Sequence, residues 1–235
     1  MSTNITAGLP PVLDEANPSI TLGAEYMAPD GIRKYRYAKA GALALVTGTL
    51  LQGPAEDTAD QAIAFAAAAV GATSIVTTTT MTVTANQYAG GYVVVTTAPD
   101  LGGLYRIKSH PAATAAVLTF ELESPLQVAW TTATRADFVA NPYNGVVIAV
   151  TTLTSSVVGV AVNDITAGQY GWIQVAGPGA LLNDAAGALV VGDALMPSSS
   201  VGGAVRVALA GKRIVGQALA GIATSVVGAV ELTIS

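Results

Sequence analysis

At 235 residues the chain has room for one large β domain or two smaller ones, with a sizeable core in either case. Hydrophobic residues make up 51 % of it and charged residues only 11 %, against roughly 25 % charged in ordinary globular domains. The net charge of −5 argues against nucleic-acid binding, which draws on clustered Lys and Arg, and the absence of cysteine excludes disulfides, thiolate metal sites and a cysteine nucleophile.

The first 32 residues hold Pro10, Pro11, Pro18 and Pro29 and few periodic apolar positions. Proline fixes φ and removes a donor, so this segment reads as an extended arm and not as a sheet strand. It lacks the basic and apolar regions of a signal peptide, which predicts synthesis in the cytoplasm. From Arg33 the text turns β. In "RKYRYAK" a strand places Arg33, Tyr35 and Tyr37 on one face and Lys34 and Arg36 on the other. "ALALVTGTLLQ" continues the alternation. "AEDTADQAIAFAAAAVG" has helix-forming alanines but also Ile63, Phe65, Ala67 and Ala69 at period two, and the β text downstream tips it toward strand. No charged residue occurs from Gln61 to Pro99, yet the apolar part is shorter than the ~20 residues of a membrane span and runs into "TTTT".

Thr- and Val-rich strands follow. "DLGG" predicts a turn, "LYRIKSH" and "AAVLTFELE" the two arms of a hairpin, and Asn144-Gly145 a second hairpin. "TTLTSS" at 151–156 reads as a linker. Beyond it six short strands with turn signals every eight to twelve residues have the pattern of a small barrel. The expected architecture is all-β: an arm over 1–32, a first β domain over 33–150 and a C-terminal β-barrel over 151–235. Two stretches echo one another, "TANQYAGGY" from Thr84 and "TAGQYGWIQ" from Thr166. Turn chemistry accounts for both without a duplication, with Tyr and Gly leading out of a polar corner into a strand.

Catalytic parts are scarce. His110, the sole histidine, precedes a proline in what reads as an exposed turn, and no Gly-x-Ser-x-Gly elbow exists. "AGPGALLNDAAG" from Ala176 fits neither phosphate-loop pattern and reads as a β-turn. Glu121 and Glu123 share a strand face roughly 7 Å apart, without the sugar-stacking aromatics a glycosidase would place beside them. No calcium loop is present. The chain therefore reads as a non-enzyme with no cofactor or metal site.

The stretches "GVAVNDITAGQYGWIQVAGPGALL", "LVVGDALMPSSSVGGAVRVA" and "RIVGQALAGIATSVVGAVELTI" resemble the barrel of tailed-bacteriophage capsid decoration and related head proteins. The front half, "RYAKAGALALVTGTLLQGP" with "QYAGGYVVV" and "YRIKSHPA", is similar to structural proteins of marine tailed phages. The resemblance implies a cement protein on the outer capsid surface of a virion. It also implies the major capsid protein as partner, a homo-oligomer with a trimer favoured, and neither nucleic acid nor membrane. On that reading Leu9, Pro10, Pro11, Val12 and Leu13 are the candidate capsid-contact arm. Tyr170 and Trp172 form a candidate exposed recognition rim, which would matter most if the protein were instead a head fibre or adhesin reading host glycans. Another head or tail building block is the remaining alternative.

Overall fold

A computed structural model describes residues 13–57, 59, 61–78, 82–114 and 116–234. The fold is all-β, with no α-helix among the described residues. The chain divides into two units: one combines the N-terminal part up to Pro54 with Pro142 onward, and the other is the insertion Ala55–Asn141. This differs from the expected boundary at 150/151. The stretch "TTLTSS" links no domains, because the strands on either side of it, β12 (Asn144–Ile148) and β13 (Val157–Ala161), flank the same partner, β3 (Leu50–Gln52).

The discontinuous unit is built on a ten-stranded sheet. Its central ring runs β2 (Lys34–Ala40), β12, β3, β13 and β14 (Tyr170–Leu182), and β14 returns to β2 to close a five-stranded barrel. The interior is narrow and filled by small and aliphatic side chains, among them Ala38, Ala40, Leu51, Val146, Val158, Ala161 and Ile173. β1 (Glu25–Met27) adds to β2 from outside. β14 is long enough to serve two sheets. Its C-terminal half pairs with β18 (Val227–Thr233). From there the sheet continues through β17 (Gly216–Ala218), β15 (Ala194–Pro197) and β16 (Val205–Val207) around an aliphatic core of Leu181, Leu195, Val215, Val230 and Leu232.

The expected turn at "AGPG" is the bend in this strand. Gly177 takes a φ of +84°, and a Cβ there would lie 2.8 Å from the Ile32 carbonyl oxygen. Buried Gln174 offsets the interrupted ladder, its Nε2 donating to the carbonyls of Ala176, Gly177 and Pro178 at 3.1, 3.3 and 2.8 Å. Asn144-Gly145 likewise makes no hairpin. It opens β12 with an irregularity in the parallel pairing to β2, a use of positive φ that its local sequence shares with a hairpin turn.

The inserted unit is a six-stranded sheet in the order β4 (Ile63–Ala64), β11 (Arg135–Val139), β7 (Tyr92–Val95), β8 (Leu104–Ser109), β10 (Val117–Leu122) and β5 (Ser74–Thr78). A two-stranded ribbon of β6 (Thr82–Val83) and β9 (Ala113–Thr114) completes it. The sheet curls until its edges meet, through a Phe65–Thr77 bridge and an Ala66 N–H to Val76 carbonyl bond of 2.8 Å. The strand reading of 63–69 thus holds at Ile63–Ala64, with bridges at Phe65 and Ala68. Alternation fixes the faces: β10 buries Leu118, Phe120 and Leu122 and exposes the positions between them. The core is aromatic, with Phe65, Tyr88, Tyr105, Phe120, Trp130 and Phe138 packed together.

Candidate functional site

β2 and β14 pair side by side, with Tyr37 directly opposite Trp172. Because the barrel interior holds no rings, these aromatics face outward. There they form a cluster with Tyr26 and Tyr35: Trp172 lies 5.4 Å from Tyr37 edge-on and 5.6 Å from Tyr26, and Tyr170 stacks on Tyr37 at 6.0 Å. The cover comes from the N-terminal segment. Leu13, Ile20, Leu22 and Ala24 pack on the rings.

Polar anchors hold that segment. Glu15 exchanges backbone hydrogen bonds with Tyr170, its N–H donating to the Tyr170 carbonyl at 3.1 Å and its carbonyl accepting from the Tyr170 N–H at 2.9 Å. The Asp14 carboxylate accepts from the Thr166 N–H at 2.9 Å and its hydroxyl at 2.6 Å. The Glu15 carboxylate accepts from the hydroxyls of Ser19 and Tyr37. The bonds from Ser19 and then Tyr37 hold the Glu15 carboxyl below its usual range, while burial, and after it the bond to Glu15, pushes Tyr37 up to about 12. The Leu13 carbonyl lies so close to Gly171 that a Cβ there would sit 2.5 Å from it.

These contacts correct the expected site. Leu9, Pro10, Pro11 and Val12 lie outside the described residues. Leu13 belongs to the body of the protein, half-buried against the barrel. Trp172 is only 2 % exposed, so it is core and not rim; of the pair only Tyr170 keeps a partly open face, with Lys39 Nζ 5.4 Å above its ring. The anchors Asp14 and Glu15 escaped the sequence reading, although they are the only charged residues before Glu25.

Beside the cluster, on the same unit, is a cavity of about 490 Å³ at the bend of β14. Val162, Pro178, Ala180, Leu219 and Ala229 make its walls mostly apolar, and Arg33, Thr47, Asn163 and Gln174 supply its polar points. Arg33 is tied to Asp30 at 2.6 Å. Asp30 also accepts the backbone N–H groups of Arg33 and Ile32, and these bonds bring its carboxyl down to about 2. Asn163 Nδ2 donates to the Leu13 carbonyl at 3.3 Å, which joins the cavity wall to the N-terminal segment.

Several other buried polar groups are spent on structure. Asp184 accepts from Ser198 Oγ at 2.7 Å and the Ala186 N–H at 2.8 Å, with Arg206 Nε 3.6 Å away. Asp100 accepts from the Tyr105 hydroxyl at 2.8 Å and Trp130 Nε1 at 2.9 Å. His110, read as exposed, is buried: its Nε2 accepts the Tyr88 N–H and its Nδ1 meets the Pro111 carbonyl, each at 2.9 Å. Burial lowers its pKa and keeps the ring neutral. Glu123 pairs with Arg106 at 3.1 Å. Among the described residues no three His, Cys, Asp or Glu side chains are grouped to hold a metal, and no helix is long and apolar enough to cross a membrane. No protein-family model, curated protein or solved structure matches the chain.

Proposed function

We propose that the chain is a structural protein of a tailed-phage virion that binds the outer capsid surface and stabilises the shell as a decoration protein. The observation that carries this reading is the surface. With 11 % charged residues overall, the described body leaves large aliphatics in water on both units, Leu43 and Val191 at 73 and 70 % exposure and Val117 and Leu104 at 64 and 60 %. A protein that spends its life against other proteins tolerates such a surface; a freely diffusing one normally replaces it with charge.

The all-β body and the engagement of Asp100, Asp184 and His110 in internal bonds support a mechanical role over a catalytic one. The major capsid protein would be the partner. Binding only the expanded shell would stabilise that state by mass action, and repetition over many sites would multiply a modest affinity. The burial of Trp172 weighs against the glycan-reading alternative.

The test is co-sedimentation of the purified chain with expanded and unexpanded shells of the phage that encodes it. Saturable binding to expanded shells is expected; no binding to either form would overturn the proposal. Removing residues 1–12 leaves the anchors Asp14 and Glu15 in place and is expected to weaken shell binding without unfolding the barrel.

A further inference from the structure

The cavity at the bend of β14 holds two side-chain oxygens for which the chain supplies no donor. Gln174 and Asn163 both line it and are both at least nine-tenths buried, at 3 and 9 % exposure. Each amide is fixed through its nitrogen. Gln174 Nε2 is taken by the three carbonyls of the bend, and Asn163 Nδ2 donates to the carbonyls of Leu13 and Asp164 at 3.3 and 2.8 Å. The amide oxygens turn away from those carbonyls, and among the described residues no donor reaches either of them. Both stay reachable, unlike the sealed and unpartnered Trp172 Nε1 and Asn183 Oδ1. Gly179, also in the lining, leaves the Gln174 oxygen uncovered, since a Cβ there would sit 3.0 Å from Oε1. Buried acceptors of this kind are normally paired.

We propose that this cavity binds a small uncharged molecule, with an apolar body and N–H or O–H donors for Gln174 Oε1 and Asn163 Oδ1. The inference goes beyond the decoration reading and does not rest on it. At about 490 Å³ the cavity has the size of a small-molecule site, typically ~300–1,000 Å³, and it has the usual design of apolar walls with a few convergent polar groups. The absence of net charge selects the ligand. Among the described lining residues Arg33 alone is charged, and Asp30 pairs with it at 2.6 Å. A cation entering the cavity meets no carboxylate in the lining, and an anion must compete with Asp30 for Arg33. Either would be buried without a counter-charge of its own. A neutral donor avoids that cost and satisfies both amides, while Val162, Leu219 and Ala229 take up its apolar part.

The experiment is a fluorescence titration of the full chain with N-phenyl-1-naphthylamine, a neutral two-ring molecule with one N–H donor. Saturation at one molecule per chain is expected. Two relatives of the probe test its chemistry: 1-phenylnaphthalene lacks the N–H, and 8-anilinonaphthalene-1-sulfonate adds a negative charge. Each should bind at least ~10-fold more weakly. Ala180→Trp places a large side chain at an exposed position of the wall and should weaken the neutral probe at least ~10-fold with an unchanged circular dichroism spectrum. Should it misfold, Ala229→Phe narrows the cavity from the opposing position on β18. Ala67→Trp, exposed on the inserted unit, should bind as wild type does and controls for probe held on surface aliphatics. Removing residues 1–12 should leave the affinity unchanged. No saturable binding of the neutral probe, equal binding by the narrowed variant, or a sulfonate that binds as tightly would each overturn the proposal. A ~10-fold gain on removing residues 1–12 would also overturn it, by making that segment the occupant.

Discussion

The two units solve the same packing problem in opposite ways. The inserted unit puts its rings inside, where Phe120 meets Phe138 at 4.5 Å and Phe65 meets Trp130 at 5.1 Å. The five-stranded barrel has space only for Ala, Val, Leu and Ile, so Tyr35, Tyr37 and Trp172 face outward and must be roofed by residues 13–24. The width of the closed sheet decides which side of it can hold an aromatic. In consequence the N-terminal segment is part of one unit's stability, while the other unit needs no such cover.

Truncating a ring in each place tests that difference and has the largest expected effect. Phe120→Ala empties a site closed on all sides and should cost ~3–5 kcal/mol, with amide protection lost across residues 63–139. Trp172→Ala opens space beneath a roof that can settle into it. Its cost should lie toward the lower end of that range, and protection should be lost first between Leu13 and Met27. Hydrogen exchange read by mass spectrometry separates the two patterns. Equal losses spread over both units in both variants would break the comparison.

Much of this was legible in the sequence. The alternation of Lys34–Ala40, Leu104–Ser109 and Val117–Leu122 gave the strands, although in the first of them Tyr37 and Ala38 are both buried. The unread part depends on long-range pairing. A glycine with positive φ beside proline looks the same in a turn and in a bent strand; only the Gln174 amide and the partner β18 make "AGPG" the latter. The insertion was hidden for a similar reason, since nothing local to Asn144-Gly145 announces that its strand will join β2, a hundred residues earlier in the chain. Trp172 and His110 were misplaced because their cover is supplied by Leu13–Ala24 and by Tyr88 and Phe120.

His110 sharpens the contrast at intermediate magnitude, because it makes only the inserted unit sensitive to mild acid. Its folded pKa lies below the ordinary value of 6.5. The unfolded chain therefore takes up a proton near pH 6.5 that the folded unit refuses. Stability is full above that pH and falls as pH drops toward the folded pKa, by up to ~1.4 kcal/mol per pH unit for one proton. Protonation would also put a second N–H where the ring now accepts from Tyr88. His110→Gln should flatten the slope below pH 6.5 in denaturant titrations of the inserted unit; a slope unchanged by the substitution would assign it to other groups.

The smallest effect separates the two echoing turns. Each is one hydrogen-bonded turn with its third residue in the left-handed region: Gln87 N–H to the Thr84 carbonyl at 3.2 Å around Asn86 (φ +59°), and Gln169 N–H to the Thr166 carbonyl at 3.0 Å around Gly168 (φ +75°). Asn and Gly are the two residues that tolerate this conformation best. If the turn alone mattered, exchanging them would be neutral at both places. Gly168 has open space where a Cβ would go, so Gly168→Asn should change stability by only a few tenths of a kcal/mol. Asn86 does more than turn the chain, since its Oδ1 accepts the His110 N–H at 3.0 Å. Asn86→Gly forfeits that bond and should cost ~1 kcal/mol, seen as a lower melting temperature with faster exchange at His110. Equal small costs at both sites would show that the side chain of Asn86 contributes nothing, and that the two corners are alike in energy as well as in shape.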